Sequence, residues 1–319
     1  MSHKSLVSVI IPAFNAQEYI PETIESILNQ SYRNLEVVVV DDGSKDKTAD
    51  IVRKYESLHY VYQENSGGCA VPRNTGIEKS SGQYLCFIDA DDLMMPDRIE
   101  TQVDFMEHHP DVGLVFSDYR NFNGGGPFPD SHFQTCPNLW SHLKDRNEIV
   151  LGKACSSLAL ENFGIAGSFM VRRSLLRLER GFEPSLKACE DFHFYFRLAR
   201  HTPVGVINKV GMMRRLHENN MSGNPVKMFS EGIRSRNLLR DGELDASNRM
   251  KLEKYIANRK GALARFYADS GMYPQSLRYD WQVLSGPFFW PEARGACRNM
   301  VRTVLLAIGY SRGKRPVET

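Results

Sequence analysis

The chain has 319 residues, 42% of them hydrophobic and 24% charged, enough for one large domain with its own core and an appendage. Its 40 basic and 38 acidic residues leave a net charge of +2, a balance that argues against nucleic acid or a strongly acidic partner. The six cysteines show no CxxC pair and no metal-ligand spacing, and are expected as reduced thiols of a cytoplasmic protein. The opening MSHKSLVSVI lacks the apolar region and cleavage site of a signal peptide. No stretch approaches the roughly 20 apolar residues of a spanning helix, so a soluble or at most peripheral protein is expected.

LVSVIIPAF (6–14), apolar and β-branched, predicts a first strand, and EYIPETIESILNQ (18–30) places Ile20, Ile24, Ile27 and Leu28 on one helical stripe. LEVVVV (35–40) predicts a second buried strand, DGSKDKTADIVRKY (42–55) a capped helix, and LHYVYQ (58–63) a third strand. YLCFID (84–89) predicts a fourth, followed by a helix opened by Pro96 with Ile99, Val103 and Met106, and by a strand in VGLVFSD (112–118). Strands alternating with helices predict an α/β fold with a doubly wound, mostly parallel sheet. Residues 119–160 lose this rhythm around NGGGPFPD (123–130) and Trp140. Regular patterning returns in GIAGSFMVRRSLL (164–176), in an amphipathic helix over EDFHFYFRLAR (190–200) and in the strand-like VGVINKVGMMRRLH (204–217). Beyond it only helices are expected, with a hairpin broken at Gly271, so that residues 226–319 form a C-terminal helical subdomain beside a domain spanning 1–225. The segment VRTVLLAIGYSRGKR (301–315) pairs a short apolar stretch with a basic end. It suits a terminal helix packed on the domain, ahead of peripheral contact with an anionic membrane surface.

In an open parallel sheet, ligands bind beyond the carboxyl ends of the strands, which here carry PAFN (12–15), DDGS (41–44) and DADD (89–92). Asp41 and Asp42 follow the second strand. Asp89 and Asp91 follow the fourth and, two apart on extended chain, are expected to point to the same side. Crowded carboxylates cost free energy unless a cation or hydrogen-bond donors offset them. Mg²⁺ or Mn²⁺ takes one or two carboxylates and completes its shell with phosphate oxygens and water, so these acids suggest a metal shared with a diphosphate. Asp92 and Asp97 are expected instead to cap the helix starting near Pro96. In ENSGGCAVPRNTGIEKSSG (64–82), Gly67 and Gly68 allow close backbone approach to phosphate and Arg73 lies in the short helical stretch that follows. Glycines between strands are, however, more often turn formers.

In this order and at these spacings, VSVIIPAFN, VVVVDDGSKDKT, NSGGCAVPRNTGI and FIDADDLMMPDRI resemble the family 2 inverting glycosyltransferases of the GT-A fold, densely over residues 6–120 and thinly to about 222. The resemblance implies an enzyme that takes a nucleotide-sugar donor, a UDP-sugar foremost, with Mn²⁺ or Mg²⁺ as cofactor. It implies that Pro12, Ala13 and Asn15 line the nucleotide pocket beside Asp41, with Asp42 on the uracil edge. Gly68 and Arg73 would sit near the nucleotide, Asp89 and Ala90 near the ribose or sugar, and Asp91 on the metal bridging both phosphates. From the second half, KACEDFHFYFRLAR supplies Glu190 and Asp191, and the resemblance makes Asp191 the general base. The helix dipole is expected to keep an acid in that first turn ionised. RRLHENNMS (214–222) lies where the family often places a histidine on the metal or diphosphate, here His217; the neighbouring Arg214, Arg215 and Asn219 are candidates to face phosphate, with the choice among them open.

The implied reaction is a single displacement onto a hydroxyl of a glycan or glycolipid acceptor, most often in bacterial surface polysaccharide assembly. A processive synthase would carry a QxxRW motif and spanning helices. PQSLRYDW (274–281) holds Gln275, Arg278 and Tyr279 at similar spacing, but in the helical tail. A nucleotidylyltransferase wants a glycine-rich basic loop after the first strand, and PAFNAQEYI (12–20) has neither glycine nor lysine. A catalytically silent sugar-nucleotide binder has no need of Asp89, Asp91 and Asp191 together.

Overall fold

The structure, a computed structural model, describes residues 5–218, 220–287 and 290–308. The chain divides into two compact units, Met1–Gly223 and Asn224–Thr319.

Among the described residues of the first unit, ten strands form one sheet: β1 (Val7–Ala13), β2 (Leu35–Asp42), β3 (His59–Gln63), β4 (Tyr84–Phe87), β5 (Leu93–Met94), β6 (Leu114–Asn123), β7 (Gly126–Pro127), β8 (Glu148–Leu151), β9 (Phe169–Arg172) and β10 (Val204–Arg215). The order is β3-β2-β1-β4-β9-β6-β10-β5, with β7 on β6 and β8 on β10. β1 to β4 run parallel, as do β6 and β10, while β9 is wedged antiparallel between β4 and β6. The sheet is thus mostly parallel by strand direction, with β9 reversed at its centre and β5, β7 and β8 reversed beside β10 and β6, reversals that the alternation of the sequence does not reveal.

Among the described residues seven α-helices accompany the sheet: α1 (Ile20–Leu28), α2 (Thr48–Val52), α3 (Ala70–Glu78), α4 (Arg98–His108), α5 (Pro137–Leu143), α6 (Ala154–Leu160) and α7 (Glu190–Leu198). Every residue of β1 is buried, which is why its sequence is a continuous apolar run rather than an alternating one. Val9 and Ile11 join Val37 and Val39 in a core with Ile20, Ile24 and Ile27 of α1 and Ile99, Val103 and Met106 of α4. On the other face Ile10 meets α3 at Gly76, where a Cβ would come within 2.3 Å of Ile10 Cγ2; glycine is what lets this helix lie so close. Phe87, Phe169, Phe182 and Phe194 form an aromatic cluster, the Phe182 and Phe194 rings 4.2 Å apart and Phe87 meeting Phe182 edge-on at 5.1 Å. That cluster anchors α7, and with it the acidic pair at its head.

Several expectations are corrected. The helix after β2 is only Thr48–Val52, because the preceding residues form a turn in which Asp41 Oδ1 accepts from Ser44 N at 2.8 Å and Asp46 Oδ1 from Thr48 N at 2.9 Å. Asp92 does not cap α4: it is 3% exposed and its carboxylate accepts from Arg215 N at 2.8 Å. Asp97 stands at the helix start without a capping hydrogen bond and pairs with Lys209. The stretch 119–160 holds the end of β6 together with β7, α5, β8 and α6. None of the six cysteines forms a disulfide.

The second unit is helical: α8 (Pro225–Asp241), α9 (Ala246–Asp269), α10 (Tyr273–Leu284) and α11 (Trp290–Ala307). Asn224 caps α8 by accepting from Lys227 N at 3.0 Å, and Asp245 caps α9 by accepting from Asn248 N at 2.8 Å. Gly271, at φ +74°, makes the left-handed turn between α9 and α10. Gln275, Arg278 and Tyr279 lie on α10. Among the described residues no helix is long and apolar enough to cross a membrane. Asn219 and the basic residues after Ile308 lie outside the described residues.

Candidate active site

The carboxyl ends of β1, β2, β4 and β10 and the amino end of α7 supply the acids and bases singled out from the sequence. At the end of β1, Pro12 and Ala13 are buried and the chain turns at Asn15, whose φ of 48° is left-handed. Asparagine tolerates that conformation better than most residues because its short amide bonds locally: Asn15 Oδ1 accepts from Lys45 N at 2.8 Å, and Asn15 N donates to Ser44 Oγ at 2.9 Å. The β1 loop and the β2 loop therefore hold each other in place.

Asp41 and Asp42 are the last residues of β2 and both are buried. Asp41 Oδ2 accepts from Tyr60 OH at 2.7 Å and its other oxygen from the Ser44 amide, so this acid shapes the turn. Burial, and then this contact, pushes the Tyr60 hydroxyl up to about 12. Asp42 Oδ1 accepts from Gln63 Nε2 at 2.5 Å, and Oδ2 from the Ser66 amide and hydroxyl at 3.0 and 2.9 Å. Gly43, at φ +78°, is where a Cβ would come within 2.7 Å of Asn65 N, so glycine is required for the Asp42 loop to close on residues 65–68. Lys187 Nζ donates to Ser66 O at 2.7 Å, and the Lys187 backbone lies 3.2 Å from where a Gly68 Cβ would stand.

β4 ends at Phe87, and residues 89–92 form a turn closed by Asp92 N to Asp89 O at 3.1 Å. Asp89 and Asp91 are thus not on extended chain; the turn sends them to different partners. Asp89 Oδ1 accepts from Arg73 Nη2 at 2.5 Å, and Arg73 Nη1 donates to Glu190. The Arg73 side chain is 2% exposed, its guanidinium 5.4 Å from the Phe182 ring centre, and its Nε has no partner. Burial works to lower the Arg73 pKa, but the flanking acids, Asp89 foremost, together outweigh it and raise it. Asp89, by contrast, is 43% exposed.

Asp91 Oδ2 lies 2.9 Å from His217 Nε2 and 3.2 Å from Asn220 Nδ2. Burial, then the neighbouring Asp89 charge, pushes the Asp91 carboxyl up, and His217 opposes the shift. The imidazole stacks on Tyr19 at 4.8 Å between ring centres, and its Nδ1 is buried without a partner. Arg215 sits over Tyr19 and Phe122 at 4.8 and 4.7 Å and donates to Asp91 O at 2.8 Å. Arg214 turns aside, donating to Ser222 Oγ at 2.8 Å. Two register shifts in β10, between Ile207 and Met212, re-aim the strand end that delivers these residues.

Asp191 lies in the first turn of α7, which the chain enters through Cys189 at a left-handed φ of 58°. Its Oδ2 accepts from Ala166 N at 3.1 Å and its Oδ1 from Phe192 N at 2.7 Å. The helix-dipole expectation is corrected here: burial outweighs the donors and Arg73, and pushes the carboxyl up from its ordinary value. Sequence reasoning missed the Arg73 contact of Glu190, for which the only signal is its adjacency to Asp191, and the Tyr19 stack, for which there is none.

Among the described residues no three acid, histidine or cysteine side chains converge as a self-sufficient metal cage. A hard divalent ion that keeps phosphate and water ligands does not need one. Neighbouring ligands on an octahedral ion with bonds of ~2.1 Å stand about 3 Å apart, and Asp91 Oδ2 and His217 Nε2 stand 2.9 Å apart. The pair fits as part of a shell that a diphosphate would complete.

The sheet with its acids gathered at one carboxyl edge is the GT-A arrangement of glycosyltransferases. Residues 1–349 of TarS from S. aureus, in complex with UDP-GlcNAc, share the fold with a TM-score of 0.67 at 21% identity, over 98% of this chain and 94% of that one. The chain belongs to glycosyl transferase family 2, whose model matches residues 8–177. An uncharacterized glycosyltransferase of Rickettsia typhi is 31% identical over 72% of this chain and 70% of its own length. The putative teichuronic acid biosynthesis glycosyltransferase TuaG of Bacillus subtilis is 45% identical over 32% of this chain and 42% of its own length. The chain thus spans between 42% and 70% of these relatives.

Proposed function

We propose that the first unit transfers a sugar, in one inverting displacement, from a nucleotide sugar to a hydroxyl of a glycan or glycolipid acceptor. A UDP-sugar is the favoured donor, and surface polysaccharide assembly the favoured setting. The observation that carries this reading is the joining of Asp89 at the end of β4 to Glu190, next to Asp191 at the head of α7, through the single buried guanidinium of Arg73. The uridine nucleotide of the TarS complex and the biosynthetic role in the name of TuaG support the donor and the setting.

In this reading Pro12, Ala13 and Asn15 form the floor and wall against which the base lies. Asp42, whose Oδ1 retains one lone pair beyond its Gln63 contact while Oδ2 is taken up by Ser66, accepts from the base edge. Asp41 acts through the turn it holds. Gly68 gives the diphosphate close backbone approach, and exposed Asp89, beside Ala90, takes ribose or sugar hydroxyls. Asp91 and His217 would hold Mn²⁺ or Mg²⁺, which supplies positive charge for the departing diphosphate. Asp191 accepts the acceptor hydroxyl's proton as that oxygen attacks the anomeric carbon opposite the nucleotide. Its raised pKa makes it a stronger proton acceptor than an ordinary aspartate. Arg73 keeps two carboxylates from repelling the acids around them.

Incubating the protein with a panel of nucleotide sugars, with Mn²⁺ and with chelator, and reading the product's anomeric configuration by NMR tests the proposal. Inversion that depends on the divalent ion is the expected result. Retention of configuration, or turnover indifferent to chelator, contradicts it.

A further inference from the structure

On α11 the buried side is Ala293, Ala296, Asn299 and Thr303. The opposite side carries two parallel stripes. Val301, Val304, Leu305 and Ile308 recur at the helical i, i+3, i+4, i+7 spacing and stand 62%, 46%, 37% and 73% exposed. Arg294, Arg298 and Arg302, four residues apart, form an exposed basic stripe along one edge of it. Arg302 also pairs with Asp269 at 2.5 Å, both side chains more than half exposed. The sequence after Ile308 adds Arg312, Lys314 and Arg315. Apolar side chains turned to solvent over two turns, flanked by three guanidinia, are not what a helix needs to pack on its own unit.

We infer that α11 is an interfacial helix that lays Val301, Val304, Leu305 and Ile308 into an anionic lipid surface, with Arg294, Arg298 and Arg302 on the headgroups. Charge complementarity selects this occupant. A second copy of the helix, paired about a two-fold axis, would bring two basic stripes to one interface, whereas anionic headgroups neutralise them. The arginine stems let guanidinia reach headgroup level while the apolar stripe sits at the acyl boundary. No described helix spans a membrane, so the contact lies in the interface plane. Such seating would keep the protein at the surface where a lipid-linked acceptor is found.

The test is co-sedimentation of the full chain with vesicles of phosphatidylcholine alone and with phosphatidylglycerol added. Each basic residue near an anionic surface contributes roughly fivefold to binding. Anionic vesicles should therefore bind at least about tenfold more tightly than neutral ones, with the preference weakened by salt. Arg294→Glu with Arg298→Glu should remove the preference, and Val304→Glu with Ile308→Glu should abolish binding. These side chains are exposed, so unchanged thermal melting is expected and is measured alongside. Equal binding to both vesicles, no binding to either, or wild-type binding by both double variants overturns the inference. So does a concentration-dependent dimer that Val304→Glu dissolves. Hydrolysis of soluble donor, assayed without vesicles, should be untouched by these variants, so failure here leaves the catalytic reading standing.

Discussion

Arg73 and Glu190 form a buried ion pair between residues 117 apart in sequence, and the same guanidinium reaches Asp89. One side chain thus fixes the distance between the strand end proposed to carry the donor and the helix head proposed to carry the base. Removing one member of a buried pair leaves an uncompensated charge, at a cost of about 3–5 kcal/mol. Arg73→Met should lose stability on that scale in urea denaturation, and Arg73→Met with Glu190→Gln should recover part of it. Additive losses in the double variant would mean that the two side chains are not coupled.

Asp91 and His217 are proposed to meet the donor only through the metal and its diphosphate. Asp91→Asn should therefore weaken UDP binding in the presence of Mn²⁺ by tenfold or more. In chelator, variant and parent should bind UDP about equally. Calorimetric titration distinguishes this from a structural role, which would weaken binding under both conditions. His217→Ala should follow the same pattern with a smaller loss, since phosphate and water can fill its place in the shell.

A pH dependence of stability is expected from the second unit. Asp280 of α10 is fully buried; Asn299 Nδ2 donates to its Oδ2 at 2.8 Å, while Asp280 Oδ1 and Asn299 Oδ1 have no partner. Burial pushes this carboxyl up to about 6, with Asn299 and Arg265 of α9 opposing. Because the folded pKa lies above the unfolded one, the folded state holds the proton longer, and stability falls as pH rises from about 4 to about 6 before levelling. Asp280→Asn places a donor where the orphaned oxygen stands. It should flatten that slope and raise the melting temperature at neutral pH. A slope that survives the substitution would assign it to another group.

Much of the site was legible because its residues end apolar runs. Val7–Ala13 and Leu35–Asp42 are read as buried strands, and the rules of open sheets then direct attention to Asn15, Asp42 and Asp89. What was illegible depends on contacts between distant segments. Asp92 reads as a helix cap from its neighbours, yet the Arg215 amide, 123 residues on, takes its carboxylate. Asp191 reads as an ionised first-turn acid, yet burial reverses its shift. β9 is too short at four residues to announce its direction, which is set by the strands that receive it.

Turnover of a nucleotide sugar by Asp191→Asn decides whether Asp191 takes the acceptor's proton. Removing a general base costs about 10²–10⁴-fold in rate. The proton-accepting role of Asp191 implies a loss of that size in sugar transfer, with UDP affinity and thermal stability close to the parent's. Near-parental turnover by the asparagine variant would contradict it.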